Sequence, residues 1–159
     1  MARQIVLGVT VIVIGGVLGA NMYTSWVDAR NWGANIPSSL TTAREYFAVV
    51  NPGSFFRAVS PAAQLLALLA LIVCWNVPGA RIPAATALAL TIAGDVMTFT
   101  YFYPRNDIMF VNPMNAEAAA AAWRGWSAMN YVRSAVIFGA LTAELVALTR
   151  VAQLVPVAR

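Results

Sequence analysis

The sequence contains no histidine, no lysine and only one cysteine, Cys74. The absence of histidine excludes His-ligated haem and every metal site that depends on imidazole. A single cysteine excludes an intramolecular disulfide and any C-x-x-C redox motif. Chemistry in this chain must therefore come from carboxylates, arginine, aromatic rings, hydroxyls, amides or a bound cofactor.

Charged residues are also scarce. They make up 10% of the 159 residues, whereas 60% are hydrophobic. A soluble domain averages about 25% charged residues, so this composition is typical of a membrane protein. The ten basic residues are all arginine, are dispersed along the chain and leave a modest net charge of +4. Because no basic cluster or nucleic-acid motif is present, we expect no nucleic-acid partner.

Four apolar segments have about the 20 residues that a membrane-crossing helix needs. We predict an all-α fold, an integral membrane four-helix bundle in the lipid bilayer, formed by the single domain 1–159. The predicted spans are 5–23, 58–77, 82–103 and 127–151. Both chain ends and the short turn between the second and third spans fall on one side. The acid-free turn favours the cytoplasm for that side, and we expect a bacterial cell membrane.

Two long connections fall on the opposite side, and each is predicted to carry a short amphipathic helix. In the first, Ser38 or Ser39 can cap a helix that continues to about Val50, where Asn51 and the Pro-Gly pair after it end the helix. This helix is either an interfacial element with aromatic anchors or a lid over a site. In the second connection, Asn115 can cap an Ala-rich helix that runs directly into the fourth span.

Polar residues inside the spans are the most informative feature of the sequence. A charge at the bilayer centre costs about 2.5–3.5 kcal/mol on insertion scales, so it usually faces protein or a cavity. Thr91, Asp95 and Thr98 follow one another at i, i+4 and i+7, which places them on one face of the third span. Asn130 and Arg133, at i and i+3, share a face of the fourth span.

Asp95 and Arg133 are predicted to lie at similar depth, about 12 Å and 9 Å from the ends of their antiparallel spans. They can form a buried ion pair, with Asn130 as interhelical glue, or line a polar pocket that presents Arg133 to a ligand. The two arrangements are compatible. Glu144, three turns beyond Arg133, either reaches Thr91 or another polar group across the bundle or is a protonated structural carboxyl.

A sequence pattern spans the end of the third segment and the start of the fourth. It reads Thr-x-x-Tyr-Phe-x-Pro-x-Asn, then a helical connection of variable length, then Trp-x-x-x-Asn-x-x-Arg. This pattern resembles the anthrone oxygenase-like family of small four-helix membrane proteins, most of which are assigned only to a domain of unknown function. "GANMY" at 19–23 and "NPGSFFR" at 51–57 support the resemblance, which covers nearly the whole chain.

The resemblance implies a monooxygenase that uses O₂ on a lipophilic, phenolic, anthrone-like small molecule with no metal or flavin cofactor. Arg133 and Asn130 would stabilise the oxyanion of the substrate, and Asp95 would act as general base. The expected substrate-binding residues are Asn21, Tyr23, Thr98, Phe102, Asn106 and Trp126. Among them the aromatic rings would form flat apolar walls, although the Trp residues are equally typical of a membrane-interface belt.

Two other functions agree with the same residues. A non-catalytic subunit or assembly factor would use the Ala-rich helix faces for contacts within a homo-oligomer or a larger membrane complex. A small proton-coupled carrier would use a membrane carboxylate and an arginine, but such carriers usually place an essential carboxylate in the first helix, where this chain has none.

Overall fold

The computed structural model describes residues 1–154, so the last five residues of the predicted domain lie outside the described part. Within that part the regular structure is helical throughout. The α-helices are α1 (Ala2–Tyr23), α2 (Ala29–Trp32), α3 (Ser38–Tyr46), α4 (Pro52–Cys74), α5 (Arg81–Met97), α6 (Tyr103–Met109) and α7 (Ala116–Ala152). A π-helical turn at Thr24–Asp28 joins α1 to α2, and a second at Thr98–Phe102 joins α5 to α6.

Four continuous helices are long and apolar enough to cross a membrane, which agrees with the four predicted spans. They are Ala2–Trp32, Pro52–Cys74, Arg81–Met109 and Ala116–Ala152. All four extend beyond the predicted spans on the side of the connections. The last has 37 residues, and at 1.5 Å per residue it is about 55 Å long, against about 30 Å of hydrocarbon. Its first turns therefore continue past the apolar segment and pack against the connections.

Small side chains line the contacts between these helices. Helix α1 packs against α4 and α7, and α5 packs against the same two helices. Ala67, Ala70, Ala84, Ala87 and Ala140 are fully buried at these contacts. In a bilayer, where lipid is as apolar as leucine, helices associate through close packing of such small residues. The Ala-rich sequence thus allows the close approach that brings polar side chains of different helices together.

The start of α1, the end of α7 and the turn between α4 and α5 meet at one end of the molecule. Nε of Arg3 donates to the backbone oxygen of Val73 over 2.9 Å. The side chain of Arg150 lies over Gly79, which has a φ of 79° and so occupies the left-handed region that glycine adopts without cost. Helices α2, α3 and α6 lie at the opposite end, with the two long connections.

The predicted cap of α3 is wrong. The helix begins after Pro37 without a side-chain cap, and it ends at Tyr46 instead of Val50. The hydroxyl of Ser39 instead donates to the backbone oxygen of Trp32, at the end of α2. Because this hydroxyl bonds to the carbonyl of the preceding helix, it does not cap α3, and the local sequence does not indicate this contact.

The two asparagine caps have a clearer sequence basis. Asn51 begins α4, because its Oδ1 accepts from the backbone N–H of Ser54 over 3.1 Å and Pro52 occupies the first helical position. Asn115 caps α7 as predicted, with its Oδ1 2.9 Å from the backbone nitrogen of Ala118. Helix α7 then runs without interruption into the fourth apolar segment.

Gly33 permits close contact between the first connection and α7. The indole of Trp123 donates to the backbone oxygen of Ala29 over 2.7 Å, and its ring fills the space that a Cβ on Gly33 would need. We expect Gly33→Ala to lower the free energy of unfolding by about 1–3 kcal/mol, the usual effect of overpacking. Thermal unfolding in detergent followed by circular dichroism measures this loss.

Gly16→Ala is the matched control for Gly33→Ala. A Cβ on Gly16 meets nothing within 4 Å, and alanine is favoured over glycine in a helix interior by up to about 1 kcal/mol. Equal stability changes in the two variants would contradict the assigned contact between Trp123 and Gly33.

Candidate functional site

Both π-helical turns lie beside the same stretch of α7. Ser25, in the first turn, accepts at its Oγ from Nδ2 of Asn130 over 2.6 Å. Thr98, at the start of the second, accepts at its Oγ1 from Nη1 of Arg133 over 3.2 Å. Inserted π turns occur frequently at functional sites because they displace side chains from the regular helical positions. Here two of them bring hydroxyls from different helices to one polar centre.

Arg133 is the centre of this arrangement and is 7% exposed. Nη2 donates to Oδ1 of Asn130 over 2.6 Å. The guanidinium carbon lies 4.0 Å from the ring centre of Phe102 and 5.7 Å from that of Phe56. Two neutral oxygens and two aromatic faces therefore hold the cation, and none of these groups neutralises its charge.

The predicted direct ion pair between Asp95 and Arg133 is wrong. Oδ2 of Asp95 accepts instead from Nε2 of Gln64 on α4 over 2.6 Å. Arg133 makes its side-chain hydrogen bonds to Thr98 and Asn130. The amide of Gln64 can reach Asp95 because α4 packs directly against α5. Both charged groups nevertheless line one cavity, so their charges act on the same space.

This inner cavity has a volume of about 330 Å³, within the range of about 300–1,000 Å³ that small-molecule sites occupy. Thr91, Asp95 and Thr98 all line it, as their spacing on one helix face predicts, together with Arg133. The remaining wall is largely apolar. It is formed by Ile14, Val17, Phe56, Pro61, Ala63, Phe99 and Ile137, among others.

An outer cavity of about 460 Å³ lies towards the long connections. It shares Phe56, Arg57, Thr98, Tyr103 and Arg133 with the inner cavity. Ala43 and Arg44 of α3 also line it, together with Phe47, which follows α3, and Asn106 of α6. The first connection thus covers a cavity, the arrangement expected of a lid.

The predicted aromatic walls divide into two groups. Phe102 is 1% exposed and Trp126 is 4% exposed, and both line the outer cavity. Trp126 packs edge-on between Trp32 and Phe102, with ring centres at 5.2 Å and 5.4 Å, so it belongs to the packed interior and not to a membrane belt. Tyr23 is 59% exposed and lines neither cavity, so its predicted place in the wall is wrong. It precedes the π turn that directs Thr24 and Ser25 inward.

Asn21 and Asn130 are fully buried and join α1 to α7. Nδ2 of Asn21 donates to Oγ of Ser134 over 2.7 Å, and Asn130 bridges Ser25 and Arg133. Asn21 also lines the inner cavity, but Asn130 lines neither. Asn130 therefore holds Arg133 in position from outside the cavity lining. The predicted direct contact of Asn130 with a ligand is not supported.

Glu144 lies apart from this centre. It is fully buried, and both of its carboxyl oxygens lack a hydrogen-bond partner within residues 1–154. Thr91, one of its predicted partners, instead donates to the backbone oxygen of Leu88 over 2.8 Å. Eleven residues of helix separate Glu144 from Arg133, about 16 Å along the axis, and Glu144 lines neither cavity.

Several site residues were not predicted from the sequence. Gln64 could have been predicted, because it is a polar amide within an apolar span, as Asn130 is. Ser25 and Ser134 carry no such signal, because serine is common in membrane helices and caps its own helix readily. Arg44 and Arg57 lie in the connections, where only the packing of α3 and α4 assigns them to a cavity.

Within residues 1–154, no three acidic or cysteine side chains converge as a metal site would require. What the arrangement offers is a buried cation, a nearby carboxylate and an apolar cavity. Such a combination can bind an oxygen-bearing aromatic or other lipophilic molecule and stabilise negative charge on it.

The described residues form an all-helical protein, and four of its helices are long and apolar enough to cross a membrane. These four helices are compatible with a multi-pass membrane protein. Comparisons with protein-family models, with curated proteins and with solved structures find no match for this chain.

Proposed function

We propose that this protein is an integral membrane four-helix bundle and an oxygenase that uses O₂ on a lipophilic, anthrone-like phenolic molecule without a metal or flavin. The resemblance of its motifs to the anthrone oxygenase-like family motivates the choice of reaction. The observation that carries it is that Asp95 and Arg133 line one apolar cavity of about 330 Å³ without forming a direct ion pair.

The separation of the two charges supports their proposed roles. A carboxylate bound directly to an arginine is a weak base, because the cation favours its ionised form. Asp95 instead accepts from the neutral amide of Gln64 over 2.6 Å. In the proposal, Asp95 removes a proton from the CH₂ group of the substrate, and Arg133 stabilises the negative charge that appears on the substrate oxygen.

The oxidation itself is driven by the substrate anion. The anion gives one electron to O₂, and the resulting carbon radical and superoxide combine into a peroxide at the former CH₂ carbon. Loss of water from the protonated peroxide leaves a ketone. One oxygen atom of O₂ enters the quinone and the other leaves as water, so the two C–H bonds supply both hydrogens and no external reductant is needed.

Oxygen uptake with a panel of anthrones tests this reaction. We expect the purified protein in detergent to consume one O₂ for each quinone formed, and Asp95→Asn to lower kcat by about 10²–10⁴-fold through loss of the general base. Glu117→Gln is the matched control, because Glu117 is exposed in the first turn of α7 and lines neither cavity.

Two results would refute the proposal. One is a folded Asp95→Asn protein with full turnover. The other is the absence of uptake above that of boiled protein across the whole panel.

A further inference from the structure

We infer that the outer cavity binds the acidic group of an amphipathic anion whose apolar body extends into the inner cavity. This inference rests on the proposed function for the reaction at the inner cavity, and it names the class of substrate. The required ligand carries a carboxylate or a phosphate at one end and an aromatic or other apolar body at the other. A phospholipid offers the same chemistry as an acidic small molecule.

The charges around the outer cavity are unequal. Arg44, Arg57 and Arg133 line it, whereas Asp107 is the only acidic residue among its lining residues in the described chain. Arg44 donates to the backbone oxygen of Val111, and Arg57 donates to the hydroxyl of Ser54. Neither of these acceptors carries charge. Three cations around one cavity with a single acidic side chain favour an anionic ligand.

Two buried donors next to the cavity also lack acceptors. Nε of Arg133 and Nε1 of Trp126 have no hydrogen-bond partner among the described residues, and both side chains line the outer cavity. Trp126 is 4% exposed. The large majority of buried side-chain polar atoms in proteins are paired, so two unpaired donors around one cavity call for a specific explanation. A ligand with several acceptor oxygens provides one.

The two cavities together define the orientation of such a ligand. They share Arg133, whose guanidinium carbon lies 5.7 Å from the ring centre of Phe56 and 4.0 Å from that of Phe102. The inner cavity has mainly apolar walls and lies among the membrane-spanning helices, whereas the outer cavity lies beneath α3. An amphipathic anion therefore fits with its acidic end beneath α3 and its apolar body below Arg133, next to Asp95.

Binding of two matched fluorescent probes tests the inference without any turnover. The probes are 9-anthracenecarboxylate and neutral 9-anthracenemethanol, titrated in the same non-ionic detergent. We expect the acid to bind about tenfold tighter than the alcohol. The double variant Arg44→Gln/Arg57→Gln should remove that preference, because it weakens binding of the acid much more than binding of the alcohol. Arg124→Gln, which removes an exposed arginine of α7 that lines neither cavity, is the control and should keep the preference.

A competition arm distinguishes the two sources of the anion. If dioleoylphosphatidylglycerol displaces the acid at low micromolar concentration, the ligand is a phospholipid. If the lipid competes only weakly, the ligand is an acidic small molecule. Equal affinity for acid and alcohol, or a preference that survives in the double variant, would overturn the inference. A protein that prefers the acid but consumes no O₂ would refute the proposed reaction alone, so the two failures are distinguishable.

Discussion

Arg133→Gln is expected to lower turnover of an anthrone by about 10²–10³-fold, the usual effect of removing one donor that stabilises an oxyanion. The glutamine amide can still donate to Asn130, but it carries no charge to stabilise the substrate anion. Because the stabilised charge appears during the reaction, kcat should fall much more than KM rises. Oxygen uptake against anthrone concentration measures both quantities.

Arg133→Lys separates the charge of Arg133 from its geometry. Lysine keeps the cation, but it cannot present two planar donors to Thr98 and Asn130 in the way that the guanidinium does. We expect its turnover to lie between those of the wild type and Arg133→Gln. Arg124→Gln controls for the loss of an arginine from α7. If the glutamine variant folds normally and keeps full turnover, Arg133 has only a structural role.

Much of the helical architecture is predictable from the sequence because long apolar segments have few alternatives in a bilayer. A backbone in hydrocarbon must satisfy its own hydrogen bonds, and a helix does so within one segment. The ends of the helices were harder to predict. The continuation of α1 through Thr24–Asp28 to Trp32 adds polar and charged residues, and its stability comes from tertiary contacts such as that between Ala29 and Trp123.

The candidate site was predictable at the level of helix faces but not of partners. Spacing alone placed Asp95 and Thr98 on one face, and both line the inner cavity with Arg133. The choice of Gln64 over Arg133 as the partner of Asp95 depends on the axial offset between α4 and α5, about which sequence spacing carries no information. The contact between Ser25 and Asn130 depends on a π turn. One inserted residue creates such a turn, and the hydrophobic periodicity of the sequence does not indicate it.

Helix α7 carries two fully buried polar residues whose surroundings differ, and we expect opposite effects on stability when each is replaced by an apolar residue. Asn130→Leu should lower the free energy of unfolding by about 2–4 kcal/mol. Asn130 accepts one hydrogen bond from the charged guanidinium of Arg133 and donates another to the neutral hydroxyl of Ser25. The first kind contributes about 1.5–3 kcal/mol, and the second about 0.6 kcal/mol in membrane proteins.

Glu144→Met should instead raise the free energy of unfolding by about 1–3 kcal/mol, the usual cost of a buried polar group without a partner. Both carboxyl oxygens lack a partner within residues 1–154, and methionine has a similar volume. Glu144→Gln is the control, because its amide is as polar and as isolated as the carboxyl and should bring no such gain. Thermal unfolding in one detergent compares all three variants with the wild type. Destabilisation by Glu144→Met would mean that the carboxyl has a partner in the folded protein, and the interpretation of Glu144 as an isolated group would then be wrong.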